Sequence, residues 1–144
     1  MKFELDFEKI YPHPIERVWR ALTEREALSA WLMETDFAAI EGSAFTMWCE
    51  DGEGGTDRYL CKLILFEPQR RMLWSWILDG KQREGETFVD FRLEEVANGT
   101  RLTIRHSGDR DSDTVEKFKG GWPTKLEQLD AVLQRKQSVA PGTR

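Results

Sequence analysis

The stretch DTVEKFKGGWPTKLEQLDAVL, residues 113–133, places Val115, Phe118, Trp122, Leu126, Leu129 and Leu133 at steps of three and four. That spacing puts them on one face of a long C-terminal helix. Asp113 and Glu116 read as the cap and its reciprocal partner at its start. Gly120, Gly121 and Pro123 predict a kink or break, because Pro123 removes a backbone donor and crowds the carbonyl of Lys119. Working backwards, period-2 patterning marks five strands, Ser43–Cys49, Tyr59–Phe66, Met72–Leu78, Thr87–Val96 and Thr100–His106. The connections are short and polar, and Asn98-Gly99 reads as a two-residue hairpin turn. Ahead of them lies a strand from Phe3 to Tyr11, closed by Pro12 and Pro14. Ile15, Val18, Trp19 and Leu22 then fall on one helical face, with Pro14 in the first turn. Thr23 and Glu26 form a capping-box pattern before a second short helix carrying Ala27, Leu28, Trp31 and Leu32.

One strand, two short helices, five strands and a long helix predict a two-layer α+β domain with a curved six-stranded, largely antiparallel sheet wrapped around the C-terminal helix. Six strands are wide for one helix to cover, so the inner face of the sheet and the helix enclose either a side-chain core or an apolar chamber. Residues 1–137 form this single domain, and residues 138–144 read as a tail.

The 144 residues carry a net charge of −5, with no cluster of basic residues and aromatics, which sets nucleic acid aside as a partner. Hydrophobic residues at 40% and charged residues at 33% argue for a globular chain over a disordered one. Apolar runs fall far short of the ~18 residues of a membrane span. The N-terminus alternates acids and apolar residues, so a secretory signal is not expected and the cytoplasm is the expected compartment. Cys49 and Cys61 match no zinc or disulfide pattern and are expected as free thiols, with no metal or cofactor. In a symmetric hairpin around the acidic loop at residues 50–57, Cys61 faces Met47 and Cys49 faces Tyr59. That loop lacks the residues of a phosphate or calcium loop and reads as a solvated hairpin tip.

The run Pro14-Ile15-Glu16-Arg17-Val18-Trp19-Arg20-Ala21-Leu22-Thr23 with Trp31-Leu32, then Leu73-Trp74-Ser75-Trp76, then the stretch Asn98–Gly108, and finally Gly121-Trp122 with Leu126 and Leu129, resembles the Aha-type family. These are homologues of the activator of the heat-shock chaperone ATPase, within the START-like (SRPBCC) superfamily of helix-grip domains. The resemblance runs from about Phe3 to Leu133. It implies a helix-grip fold with a cavity for an apolar or amphipathic small molecule, and leaves open a chaperone or a second copy as partner. The implied function is non-catalytic binding of a lipid-like or aromatic molecule. The alternatives are a cyclase- or hydrolase-like enzyme in the same cavity and a co-chaperone-type interaction module.

The candidate ligand-contacting residues are Trp31, Met47, Trp74, Trp76, Phe91, His106, Trp122 and Leu126, with Trp122 foremost because it sits where the gripping helix is disturbed. Each of the aromatics reads equally well as plain core. His106 ends a strand in phase with Leu102 and Ile104 and reads as a structural histidine or, in the enzyme alternative, as a proton-transfer group with Tyr59 or Asp90. His13, between two prolines, reads as a turn residue.

Overall fold

Alternation at the N-terminus becomes strand β1, Lys2–Tyr11, which lies at one edge of the sheet in the computed structural model of the chain. The structure describes residues 1–50 and 52–139. After β1 come helix α1, Ile15–Thr23, and helix α2, Arg25–Trp31. Strands β2, Glu34–Thr35, β3, Ala44–Glu50, β4, Thr56–Glu67, and β5, Arg71–Leu78, follow. A 3-10 turn at Gln82–Glu84 leads to β6, Thr87–Val96, β7, Gly99–Asp109, and helix α3, Ser112–Val139. The strands form one antiparallel sheet in the order β1-β7-β6-β5-β4-β3-β2.

The sheet therefore has seven strands where the sequence pattern gave six. The additional strand, β2, is only two residues long, too short to show period-2 alternation. It is fixed by side chains: Thr35 Oγ1 donates to the Thr46 carbonyl at 2.7 Å, and the Asp36 carboxylate accepts from the Thr46 N–H at 2.7 Å.

Three expected caps and turns take other forms. Thr23 does not cap α2; its hydroxyl donates back to the Trp19 carbonyl at 2.8 Å, and Glu24 occupies the cap position, its side chain making no capping bond to the helix. Asp111 rather than Asp113 serves the start of α3, taking the Thr114 hydroxyl at 2.6 Å. The β6–β7 hairpin turns at Ala97-Asn98, because Val96 pairs with Gly99. Gly99 is needed for a different reason: at φ 145° a Cβ there would lie 2.0 Å from the Tyr11 carbonyl, where the end of β1 presses on the hairpin.

Helix α3 passes Pro123 without a break. Tertiary bonds on either side of the proline outweigh the lost backbone bond: Trp122 is tied to β7, and the Leu126 carbonyl accepts the buried Tyr11 hydroxyl at 2.8 Å. The helix continues two residues past the expected domain end at 137, and residues 140–144 of the expected tail lie outside the described residues, as does Asp51 of the acidic loop.

The two faces of the sheet differ. Its inner face, with α1, α2 and α3, encloses one core that includes Trp31, Met47, Trp74, Trp76, Phe91, Trp122 and Leu126. Its outer face over β1, β7 and β6 is ionic, with the Arg105 guanidinium on Asp6 at 2.7 Å and Arg71 bidentate on Asp90 at 3.0 Å. Among the described residues no helix is long and apolar enough to cross a membrane.

Candidate ligand-binding interior

Strand β5 is the spine of the site. Its alternate residues Met72, Trp74 and Trp76 are all buried, and Trp74 and Trp76 present their indoles to the inside. Trp74 meets Phe91 of β6 with ring centroids 4.6 Å apart, and Phe45 and Phe37 at 5.0 and 5.6 Å. Trp76 stacks on His106 of β7 at 5.4 Å and meets Trp122 of α3 edge-on at 5.8 Å. Phe91 and Trp122, 6.3 Å apart, join the two groups. Five of the eight candidates, Trp74, Trp76, Phe91, His106 and Trp122, thus form one continuous aromatic network between helix and sheet.

The other three take different parts. Met47 is fully buried opposite Tyr59 on the neighbouring strand pair. Trp31 donates its indole N–H to the Ala21 carbonyl at 2.8 Å, so its polar end is committed to the α1–α2 corner. Leu126 is buried in the core while its carbonyl holds Tyr11. A surface cleft of about 620 Å³ beside Glu24, Ala27, Ala30 and Val132 is lined by none of the eight.

Six further aromatics belong to the network, among them Phe3 and Phe7 of β1, which meet His106 at 5.5 Å and Trp122 at 6.5 Å. Phe45 and Phe118 lay on inward faces that periodicity marks, and Tyr59, T-stacked on Trp76 at 5.2 Å, began a predicted strand. Phe37 carried no signal, since it sits in an irregular segment and reaches the core through its ring contacts alone.

His106 is the polar centre. The indole N–H of Trp122 donates to its Nδ1 at 3.1 Å, and an indole nitrogen can only donate. The imidazole proton therefore sits on Nε2, which donates to Thr87 Oγ1 at 2.9 Å. Thr87 in turn donates to the Trp76 carbonyl at 3.0 Å. The chain of bonds ties α3 to β7, β6 and β5 and leaves His106 with no spare lone pair. Burial, and then the nearby Arg110 guanidinium, push its pKa down to about 3, so the ring is neutral.

In this geometry both ring nitrogens of His106 are engaged, and taking a proton at Nδ1 would break the bond to Trp122. Asp90 cannot join it: Val89 pairs with His106, so Asp90 points to the opposite face, where it holds Arg71 and Arg92. Burial raises the Tyr59 hydroxyl to about 12, which makes it a poor base partner at neutral pH. His13 is the turn residue expected; its carbonyl accepts the Thr100 hydroxyl at 2.8 Å. Among the described residues no group of His, Cys, Asp and Glu could hold a metal ion.

Neither cysteine is in a disulfide; Cys61 is buried and Cys49 partly so. The hairpin register is offset by two from the symmetric expectation: Cys61 faces Phe45 and Cys49 faces Asp57, further apart along the ladder than the diagonal pair expected.

A curved antiparallel sheet closed by one long helix over an aromatic interior is the helix-grip class of domain. Within it, the chain belongs to the family described as "Activator of Hsp90 ATPase homolog 1-like protein", whose pattern it matches over residues 12–134. Among solved structures, a Mesorhizobium loti protein is 30% identical with a TM-score of 0.81, covering 92% of this chain and 98% of that one. A Rhodobacter sphaeroides protein is 26% identical at a TM-score of 0.78, with 92% of each chain covered. DynU16, a protein of the dynemicin biosynthetic locus, is 24% identical at 0.76, covering 91% of this chain and 47% of that one, a likeness of fold alone. No curated protein matches the chain.

Proposed function

We propose that the chain is a non-catalytic binding domain that holds an apolar small molecule between α3 and the inner face of the sheet. One observation carries this reading. The interior is built from large aromatic rings, and two of its buried indole N–H groups, on Trp74 and Trp76, have no acceptor among the described residues. A closed core normally satisfies its buried donors, and an exception asks for a missing partner. The family relation supports the fold on which the reading depends. The committed lone pair of His106 favours binding over catalysis.

Native mass spectrometry of the purified full chain, before and after denaturation with organic extraction, tests the proposal. The expected result is an added mass in the native spectrum that extraction releases as a small organic compound. A single protein mass in both spectra, with no rise in melting temperature across a panel of apolar compounds, would overturn it.

A further inference from the structure

The two orphaned donors also restrict the chemistry of the ligand. Trp74 and Trp76 lie two residues apart on the inner face of β5, and both side chains are at least nine-tenths buried. An indole nitrogen donates and cannot accept, so a molecule that satisfies either one must bring an acceptor. Among the described residues the interior offers no uncommitted cation to balance a charged acceptor. His106 is neutral, and the guanidinium of Arg110 is already paired with the Glu84 carboxylate at 3.7 Å and held by the carbonyls of Glu84 at 2.7 Å, Asp109 at 2.8 Å and Gly85. Burying a carboxylate without a counter-charge carries a large desolvation cost. A ligand cation fares no better on polarity grounds, because the groups left unsatisfied are donors.

Trp76 lies at one end of the aromatic interior. Helix α3 packs on β1, α1 and α2, and its Trp122 side chain reaches Trp76 of β5. The β5–β6 ladder stops at the Trp76–Thr87 pair, and half-buried Tyr59 packs on Trp76 there.

We infer that the ligand is an uncharged, ring-bearing molecule with at least one carbonyl-type oxygen, which accepts hydrogen bonds from Trp76 and Trp74. This rests on the binding function proposed above, and the test separates the two. Three naphthalenes of equal body serve as probes: 2-acetonaphthone, with a neutral carbonyl; 2-ethylnaphthalene, with no acceptor; and 2-naphthoate, with a charge. Isothermal titration into the full chain, stripped of copurified compounds on hydrophobic resin, should show the ketone binding about tenfold tighter than the hydrocarbon, with the carboxylate weakest. W76F and W74F should each shrink the ratio of ketone to hydrocarbon affinity, a ratio taken within each variant so that any general loss of ring contact cancels.

Equal binding of ketone and hydrocarbon would overturn the inference and leave the binding function standing, and that comparison needs no variant to fold. A preference for the ketone that survives both substitutions, or tightest binding of 2-naphthoate, would overturn it as well. Failure of all three probes to bind would remove both the inference and the function on which it rests.

Discussion

Replacing Trp122 by Phe tests the bond network that holds the long helix to the sheet. The ring that stays still meets Trp76 and Phe91, but the indole N–H is lost and His106 Nδ1 becomes a buried acceptor without a partner. An unmade buried hydrogen bond costs about 1–3 kcal/mol, and the missing ring atoms add roughly 1 kcal/mol, so the variant should lose about 2–4 kcal/mol. A domain of this size loses about 3 °C of Tm per kcal/mol, which puts the fall at about 6–12 °C. The parent also makes a pH prediction. Because His106 has a folded pKa near 3, below its unfolded value of 6.5, the unfolded chain takes up the proton first. The stability due to the neutral ring is complete above pH 6.5 and is lost as pH falls towards 3, with a slope of at most about 1.4 kcal/mol per pH unit. Denaturant titration followed by tryptophan fluorescence, at intervals from pH 7.5 to 4.5, measures both effects. Long-range ¹⁵N correlation of the imidazole should show the proton on Nε2 in the parent. A W122F variant melting within 2 °C of the parent, or a parent His106 protonated on Nδ1 at pH 7, would refute the network.

Gly99→Ala should lose at least about 3 kcal/mol, since the new Cβ would meet the Tyr11 carbonyl at 2.0 Å in a backbone conformation that resists side chains. Gly120→Ala, on an exposed helical position with open space around it, should instead gain roughly 0.5–1 kcal/mol; in thermal melts, a Gly99→Ala variant as stable as the parent would contradict the first reading and a destabilised Gly120→Ala variant the second. Cys61, buried and with its thiol raised to about 12, should resist a disulfide-exchange reagent at pH 8 in the native protein and react on unfolding, as counting released thiolate will show. Thr23→Ala should change stability by less than about 0.5 kcal/mol in urea titrations, because its hydroxyl bonds back to Trp19 rather than capping α2; a loss of about 1 kcal/mol would restore the cap.

Much of the fold was legible because long elements repeat their signal. Ten residues of β1 and the apolar stripe on α3 each carry several independent matches to one period, and their registers follow from which face must be buried. Short-range features misled where tertiary contacts outweighed local chemistry. Asn98-Gly99 has the residues of a tight turn, yet the glycine is claimed by its approach to Tyr11 and the turn moves back one residue. Pro123 predicts a kink or break in the helix, yet the helix runs on past it, bonded to the sheet through Trp122 and Leu126 on either side. The inward set on β5, β6 and β7 was readable from alternation, which brought Trp74, Trp76, Phe91 and His106 to one face. What alternation does not encode is the direction of an indole nitrogen. Trp31, Trp74, Trp76 and Trp122 look equivalent in sequence, but two donate to protein acceptors and two do not. The role of His106 likewise depended on Thr87 and Trp122, residues distant in sequence that only the folded sheet and helix bring to its two nitrogens.

The indole N–H region of the ¹H–¹⁵N spectrum tests the binding interior most directly, because each of the six tryptophans reports its own hydrogen bond. On titration with 2-acetonaphthone the resonances of Trp74 and Trp76 should move downfield together, while those of Trp31 and Trp122, already bonded to Ala21 and His106, keep their positions. A spectrum in which Trp74 and Trp76 stay fixed as the probe saturates would contradict a ligand held between the helix and the sheet.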